Sequence, residues 1–103
     1  MTDYFADRAA EWDKPGKIEM TDNFVQALLK HIEPQPHWKA LEIGAGTGLV
    51  GLQLLPRVRS IVFEDTSEEM LKVLRSKIDD NAPVEILHGE ISKYRSADID
   101  FVF

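Results

Sequence analysis

No cysteine occurs in the 103 residues, which excludes a disulfide framework and any thiolate zinc site. A reducing compartment is the natural expectation, and the cytoplasm the expected location. Basic residues are few: 12 Lys and Arg stand against 18 Asp and Glu, a net charge of −6. That balance argues against a nucleic-acid backbone as the partner, because phosphate binding needs a basic face. Lys14, Lys17 and Lys30 are also too dispersed to form a basic stripe. Long apolar runs are missing too. Nothing approaches the roughly 18 residues that would span a bilayer, so no membrane partner is expected. The opening MTDYFADRAAEWDK lacks the basic start and apolar core of a secretory signal. The three histidines, at 31, 37 and 88, show no metal-ligand spacing, and no metal is expected. Neither a Ser-His-Asp arrangement nor a paired-carboxylate acid/base site stands out.

What remains is an ordinary globular composition, 44% hydrophobic and 29% charged, in a chain long enough for one small core. Phe5, Ala9 and Trp12 fall at helical spacing, and DKPGK then breaks the pattern. The next helix is expected to be capped by Thr21 or Asp22, to line one face with Phe24, Leu28 and Ile32, and to end at Pro34. From there strands and helices alternate. Lys39–Ile43 reads as a first strand, 49–55 as a helix stopped by Pro56, and Ser60–Glu64 as a second strand. Ser67 caps a further helix with Leu71, Leu74 and Ile78 as its apolar stripe. Its early Glu68 and Glu69 and later Lys72, Arg75 and Lys77 suit the helix dipole. Val84–Leu87 reads as a third strand and the closing DIDFVF as a fourth.

Such alternation predicts an α/β fold, a Rossmann-like parallel sheet with flanking helices and right-handed crossovers. Residues 1–38 read as a helical lead-in and 39–103 as a partial domain, truncated after its fourth strand. An apolar fourth strand at the sheet edge would leave backbone groups unpaired, so self-association through IDFVF is expected.

The stretch ALEIGAGTGLVG nests two glycine patterns. Gly44, Gly46 and Gly48 spell G-x-G-x-G, while Gly46, Gly48 and Gly51 spell the G-x-G-x-x-G of a dinucleotide pyrophosphate site. The neighbours choose between them. Glu42 stands at the end of the first strand, Glu64-Asp65 at the end of the second, and Gly89-Glu90 after the third. In a parallel sheet these ends share one rim, the rim where ligands bind. An acidic rim repels a pyrophosphate. It suits S-adenosyl-L-methionine, whose sulfonium and ammonium are cationic and whose ribose offers a diol. Gly51 is then a packing residue that lets its helix approach the sheet.

The motifs carry a resemblance. LEIGAGTG, VFEDTSEEML, ILHGEI and DIDFVF, in this order, resemble the four successive motifs of class I, Rossmann-like S-adenosylmethionine-dependent methyltransferases. The opening YFADRAAEWD is similar to the lead-in helix of many small-molecule methyltransferases. The resemblance implies Glu42 near the methionine amino group, with Gly44, Ala45, Gly46 and Gly48 around the methionine and ribose. It implies Asp65 on the ribose hydroxyls, with Glu64 as the competing candidate, and Thr66 and Met70 flanking the adenine. Glu90, where aspartate is more usual, would receive the adenine amino group, and Ile91 would add a backbone contact. Trp12 and Tyr4 either lid the cofactor or pack the first helix on the core. The implied reaction is methyl transfer to a small-molecule acceptor without nucleic acid. No catalytic residue is assigned, since substrate-contacting groups in this family mostly follow the fourth strand. A non-catalytic short relative that binds the cofactor or a partner is the alternative, and a nucleotide-binding oxidoreductase the third reading.

Overall fold

The computed structural model describes residues 12–89 and 98–103. Their order is α1 (Pro15–Leu29), β1 (Lys39–Ile43), α2 (Gly51–Leu54) with a 3-10 turn over Leu55–Arg57, β2 (Ser60–Asp65), α3 (Glu68–Ser76), β3 (Val84–His88) and β4 (Phe101–Val102). All four strands are parallel, in the order β3-β2-β1-β4. The chain thus steps outward from β1 to β3 and returns to the other side of β1. The gap between β1 and β4 is the topological switch point of an open α/β sheet, beside which ligands bind at the strands' carboxyl ends.

Alternation along the strands sends side chains to two faces. Ala40, Ile61 and Phe63 join Val25 of α1, Leu54 of α2, and Leu71 and Leu74 of α3 in one buried cluster. Leu41, Val62 and Leu87 face the other way and pack with Ile99. The edge strand β4 is held by paired backbone bonds, Phe103 N–H to Leu41 O at 2.9 Å and Ile43 N–H to Phe103 O at 3.0 Å. Trp38, Phe101 and Phe103 stack in a row at centroid spacings of 5.4 and 5.6 Å.

Strand β1 has the expected bounds, and β2 and β3 each run one residue further, to Asp65 and His88. Ser67 is the cap of α3, its Oγ accepting from the Met70 N–H at 3.4 Å. Three helix expectations change. First, α1 begins at Pro15, six residues before the expected cap, because proline lacks an N–H and fits the first turn, where no partner is needed. Its buried residue is Val25, while Phe24 is 55% exposed, and Ile32 lies beyond its end. Second, α2 starts at Gly51 rather than Leu49, and Pro56 sits inside the 3-10 turn instead of ending an α-helix. Third, α3 stops at Ser76, so Ile78 packs on the core from outside the helix. The expected helix around Phe5 and Ala9 lies outside the described residues. No helix among the described residues is long and apolar enough to cross a membrane.

Candidate functional site

A parallel sheet brings the ends of β1 and β2 side by side, and the chain beyond β1 must turn sharply to enter α2. Gly44, Gly46 and Gly48 take φ values of +67°, +59° and +82°, a region where L side chains are strained. Two carboxylates from β2 hold this turn. Glu64, 6% exposed, accepts the Gly44 N–H at 3.2 Å. Asp65 accepts the Gly46 N–H on Oδ2 and the Ser67 N–H on Oδ1, each at 2.8 Å. Each carboxylate oxygen has two lone pairs, so Asp65 keeps acceptor capacity for a ligand after tying the glycine turn to the β2–α3 loop.

Gly48 and Gly51 act differently. A Cβ on Gly48 would lie 2.5 Å from Leu74 Cδ1, and one on Gly51 would lie 2.2 Å from Phe63 Cε1 and 2.6 Å from Glu42 Oε1. Gly51 is the packing residue expected of it, pressing the start of α2 onto β1 and β2.

Over this turn lies a cavity of about 480 Å³, within the usual range of small-molecule sites. The strand ends contribute Glu42 and Asp65, the turns Gly44–Thr47, Leu49, Val50 and Thr66, and α3 contributes Met70. Its remaining wall is Trp12 with Lys17, Met20 and Thr21 of α1. Thr47 Oγ donates to Asp13, and Lys77 Nζ lies 2.7 Å from the same carboxylate. Asp13 thereby straps the segment bearing Trp12 to the glycine turn and to the end of α3.

Glu42 is the unusual group. It is 7% exposed, and its Oε1 has no hydrogen-bond partner among the described residues. Burial pushes its carboxyl up to about 8; the Gly51 amide opposes this, and the Asp65 charge adds to it. An orphaned buried carboxyl oxygen in a cavity wall is a site waiting for a hydrogen-bonding cation. His88 is half-exposed and pairs through Nδ1 with Glu68 at 3.2 Å, while Nε2 lies 2.9 Å from the Thr66 carbonyl. Glu68 is held below the usual carboxylate range, chiefly by its hydrogen bond to Arg75.

Seven of the ten expected binding residues therefore meet at one cavity: Glu42, Gly44, Ala45, Gly46, Asp65, Thr66 and Met70. Gly48 turns inward onto Leu74, and Glu90 and Ile91 lie outside the described residues. Glu64 is spent on the Gly44 amide and does not line the cavity. Trp12 is in the cavity wall; Tyr4 lies outside the described residues. Sequence reasoning read Lys17 as a dispersed basic residue and Thr21 as a helix cap, and passed over Met20. Their i, i+3, i+4 spacing was a legible signal, hidden once the helix was taken to start after them.

The family model for ribosomal RNA adenine dimethylase matches residues 16–99. Among curated proteins, a ribosomal RNA small subunit methyltransferase A from Geobacter metallireducens is 32% identical over 77 residues, 74% of this chain and 28% of that protein. The chain thus spans little more than a quarter of this relative's length. Two solved structures share the fold at lower identity. One is a putative S-adenosyl-L-methionine-dependent methyltransferase from Methanococcus maripaludis, with a TM-score of 0.69 and 19% identity over 88% of this chain and 45% of that one. The other is a dimethyladenosine transferase from Plasmodium falciparum, at 0.65 and 20%, over 86% and 30%.

These likenesses overturn one expectation. The absence of nucleic acid was read from the net charge and the small-molecule acceptor from the resemblance of the lead-in segment, yet the matching family and the Geobacter relative are both named for ribosomal RNA. Net charge is a sum over the whole chain and does not locate a binding face, nor does it report on the rest of a protein as long as that relative.

Proposed function

The chain belongs to the ribosomal RNA adenine dimethylase family of S-adenosylmethionine-dependent methyltransferases, and from that premise we propose that it is the cofactor-binding portion of an enzyme that methylates adenine in ribosomal RNA. The observation that carries this reading is the coincidence of the family match over residues 16–99 with the cavity built on the glycine turn. Bound there, S-adenosylmethionine supplies a methyl group on a cationic sulfur. The chain's own residues hold and orient it. Glu42 takes the methionine ammonium and thereby satisfies its orphaned oxygen, Gly44–Gly46 line the methionine and ribose, Asp65 accepts the ribose hydroxyls, and Thr66 and Met70 flank the adenine.

Alignment of the reactants is the main contribution such a site makes to the rate. The exocyclic amino nitrogen is the adenine atom with two replaceable hydrogens, so it is the acceptor that can take two methyl groups. An adenine in folded RNA must leave its stack to reach a cavity of this kind. A ribosomal RNA substrate is compatible with the cytoplasmic location expected from the sequence.

Two measurements test this. Calorimetry should show binding of S-adenosylhomocysteine and none of NAD; the reverse would refute the cofactor assignment. Tritiated methyl groups should pass from S-adenosylmethionine to adenine in small-subunit ribosomal RNA incubated with the protein. Label found only in small molecules would refute the acceptor.

A further inference from the structure

Lys17 is the one cation among the described residues lining the cavity. It stands in the first turn of α1, half-buried, with Nζ 3.8 Å from the centroid of the Trp12 ring. It forms no ion pair within the described residues. A cation stacked on an aromatic face and otherwise unpaired keeps its charge available.

The cavity's carboxyls do not consume that charge. Asp65 accepts two backbone N–H groups and forms no ion pair with Lys17. Position points the same way. Gln53 Nε2 donates to Asp22 Oδ1 at 2.8 Å, so α1 lies alongside α2, whose first residue presses on Glu42. Lys17, Met20 and Thr21 of α1 line the same cavity as Leu49, Val50 and Glu42. The cavity thus holds a carboxyl with one unpartnered oxygen and an ammonium with no ion pair among the described residues. That pair complements an amino-acid zwitterion.

We propose that Lys17 binds the α-carboxylate of the methionine end of S-adenosylmethionine, with the Trp12 ring holding the ammonium in readiness. The proposal rests on the cofactor reading above and adds to it a residue that selects ligands by their carboxylate. A charge-assisted bond of this type at a half-buried site is worth about tenfold in affinity.

The test is a set of calorimetric titrations on the wild-type chain, Lys17→Met and Lys17→Arg. The ligands are S-adenosylhomocysteine, its decarboxylated counterpart, and 5′-methylthioadenosine, which lacks the amino-acid end altogether. Wild type should prefer S-adenosylhomocysteine to the decarboxylated compound by about tenfold. Lys17→Met should erase that preference, Lys17→Arg should retain most of it, and all three proteins should bind 5′-methylthioadenosine alike. Equal weakening of all three ligands in Lys17→Met would reduce Lys17 to a wall residue and overturn the proposal. Unchanged affinity for S-adenosylhomocysteine in that variant would overturn it too. In both cases the cofactor reading survives, because wild type still binds. A folded wild type that binds none of the three would remove the cofactor reading and this proposal together.

Discussion

Strands β1 and β2 lie side by side, and each brings an acidic residue to the same cavity, yet the two carboxyls have opposite circumstances. Asp65, at the end of β2, is partly exposed and accepts two backbone N–H groups at 2.8 Å. Glu42, one residue before the end of β1, is buried against Phe63 and Gly51 with one oxygen unsatisfied and its pKa raised to about 8. The difference follows from direction. Glu42 shares the helix-covered face of the sheet with Phe63, its register partner, whereas Asp65 follows where the chain leaves the sheet toward α3. Chemistry alone therefore does not assign a role to an acidic strand end. One carboxylate organises the loops that form the cavity, and the other is a protonatable group in its wall.

The heaviest blow to this arrangement falls behind Glu42. Gly51→Ala would drive a methyl group into Phe63 and Glu42, both buried, and is expected to cost about 3 kcal/mol in urea unfolding. A loss below about 1 kcal/mol would mean that α2 lifts off the sheet easily, and the confinement of Glu42 would lose its cause.

Next comes the organising carboxylate. Asp65→Ala removes the acceptor of the Gly46 and Ser67 amides and should cost about 2 kcal/mol. Those two amides should lose hydrogen-exchange protection, and affinity for S-adenosylhomocysteine should fall at least about a hundredfold. Unchanged affinity would move the ribose contact to another residue.

Glu42→Gln should do least near neutrality, because the wild-type carboxyl is then largely protonated. Its signature is pH dependence. A carboxyl raised from 4.5 to about 8 binds more protons folded than unfolded between those values, so wild-type stability falls as pH rises through that window and levels off above it. Thermal melts at pH 5 and pH 9 should show a smaller loss for Glu42→Gln than for wild type. Parallel losses would show that another group carries the dependence.

Much of this was legible along the chain. The short apolar run 39–43, the Ser67 cap and the Leu71 and Leu74 stripe are local signals, and each became the element it announced. The lead-in was harder. Pro15-Gly16 reads equally as a break and as a helix start, and only packing of Val25 into the core decides for the helix. That error shifted the helix phase and concealed Lys17 in the cavity wall. The partner was misread for different reasons: net charge was taken as a property of a surface, and the lead-in segment's likeness to small-molecule methyltransferases was taken to fix the acceptor.

The sequence by itself determined the parallel α/β class, the positive-φ turn after β1 and the acidic strand ends, because these depend on residue type and on spacings of two to four positions. Tertiary structure alone decided which acid is spent on backbone amides, which is orphaned, and which distant cation shares their cavity. Burial, desolvation and hydrogen-bond satisfaction depend on neighbours brought in from other elements, as Gly44 and Gly46 are brought to Glu64 and Asp65, and no local pattern in the chain records them.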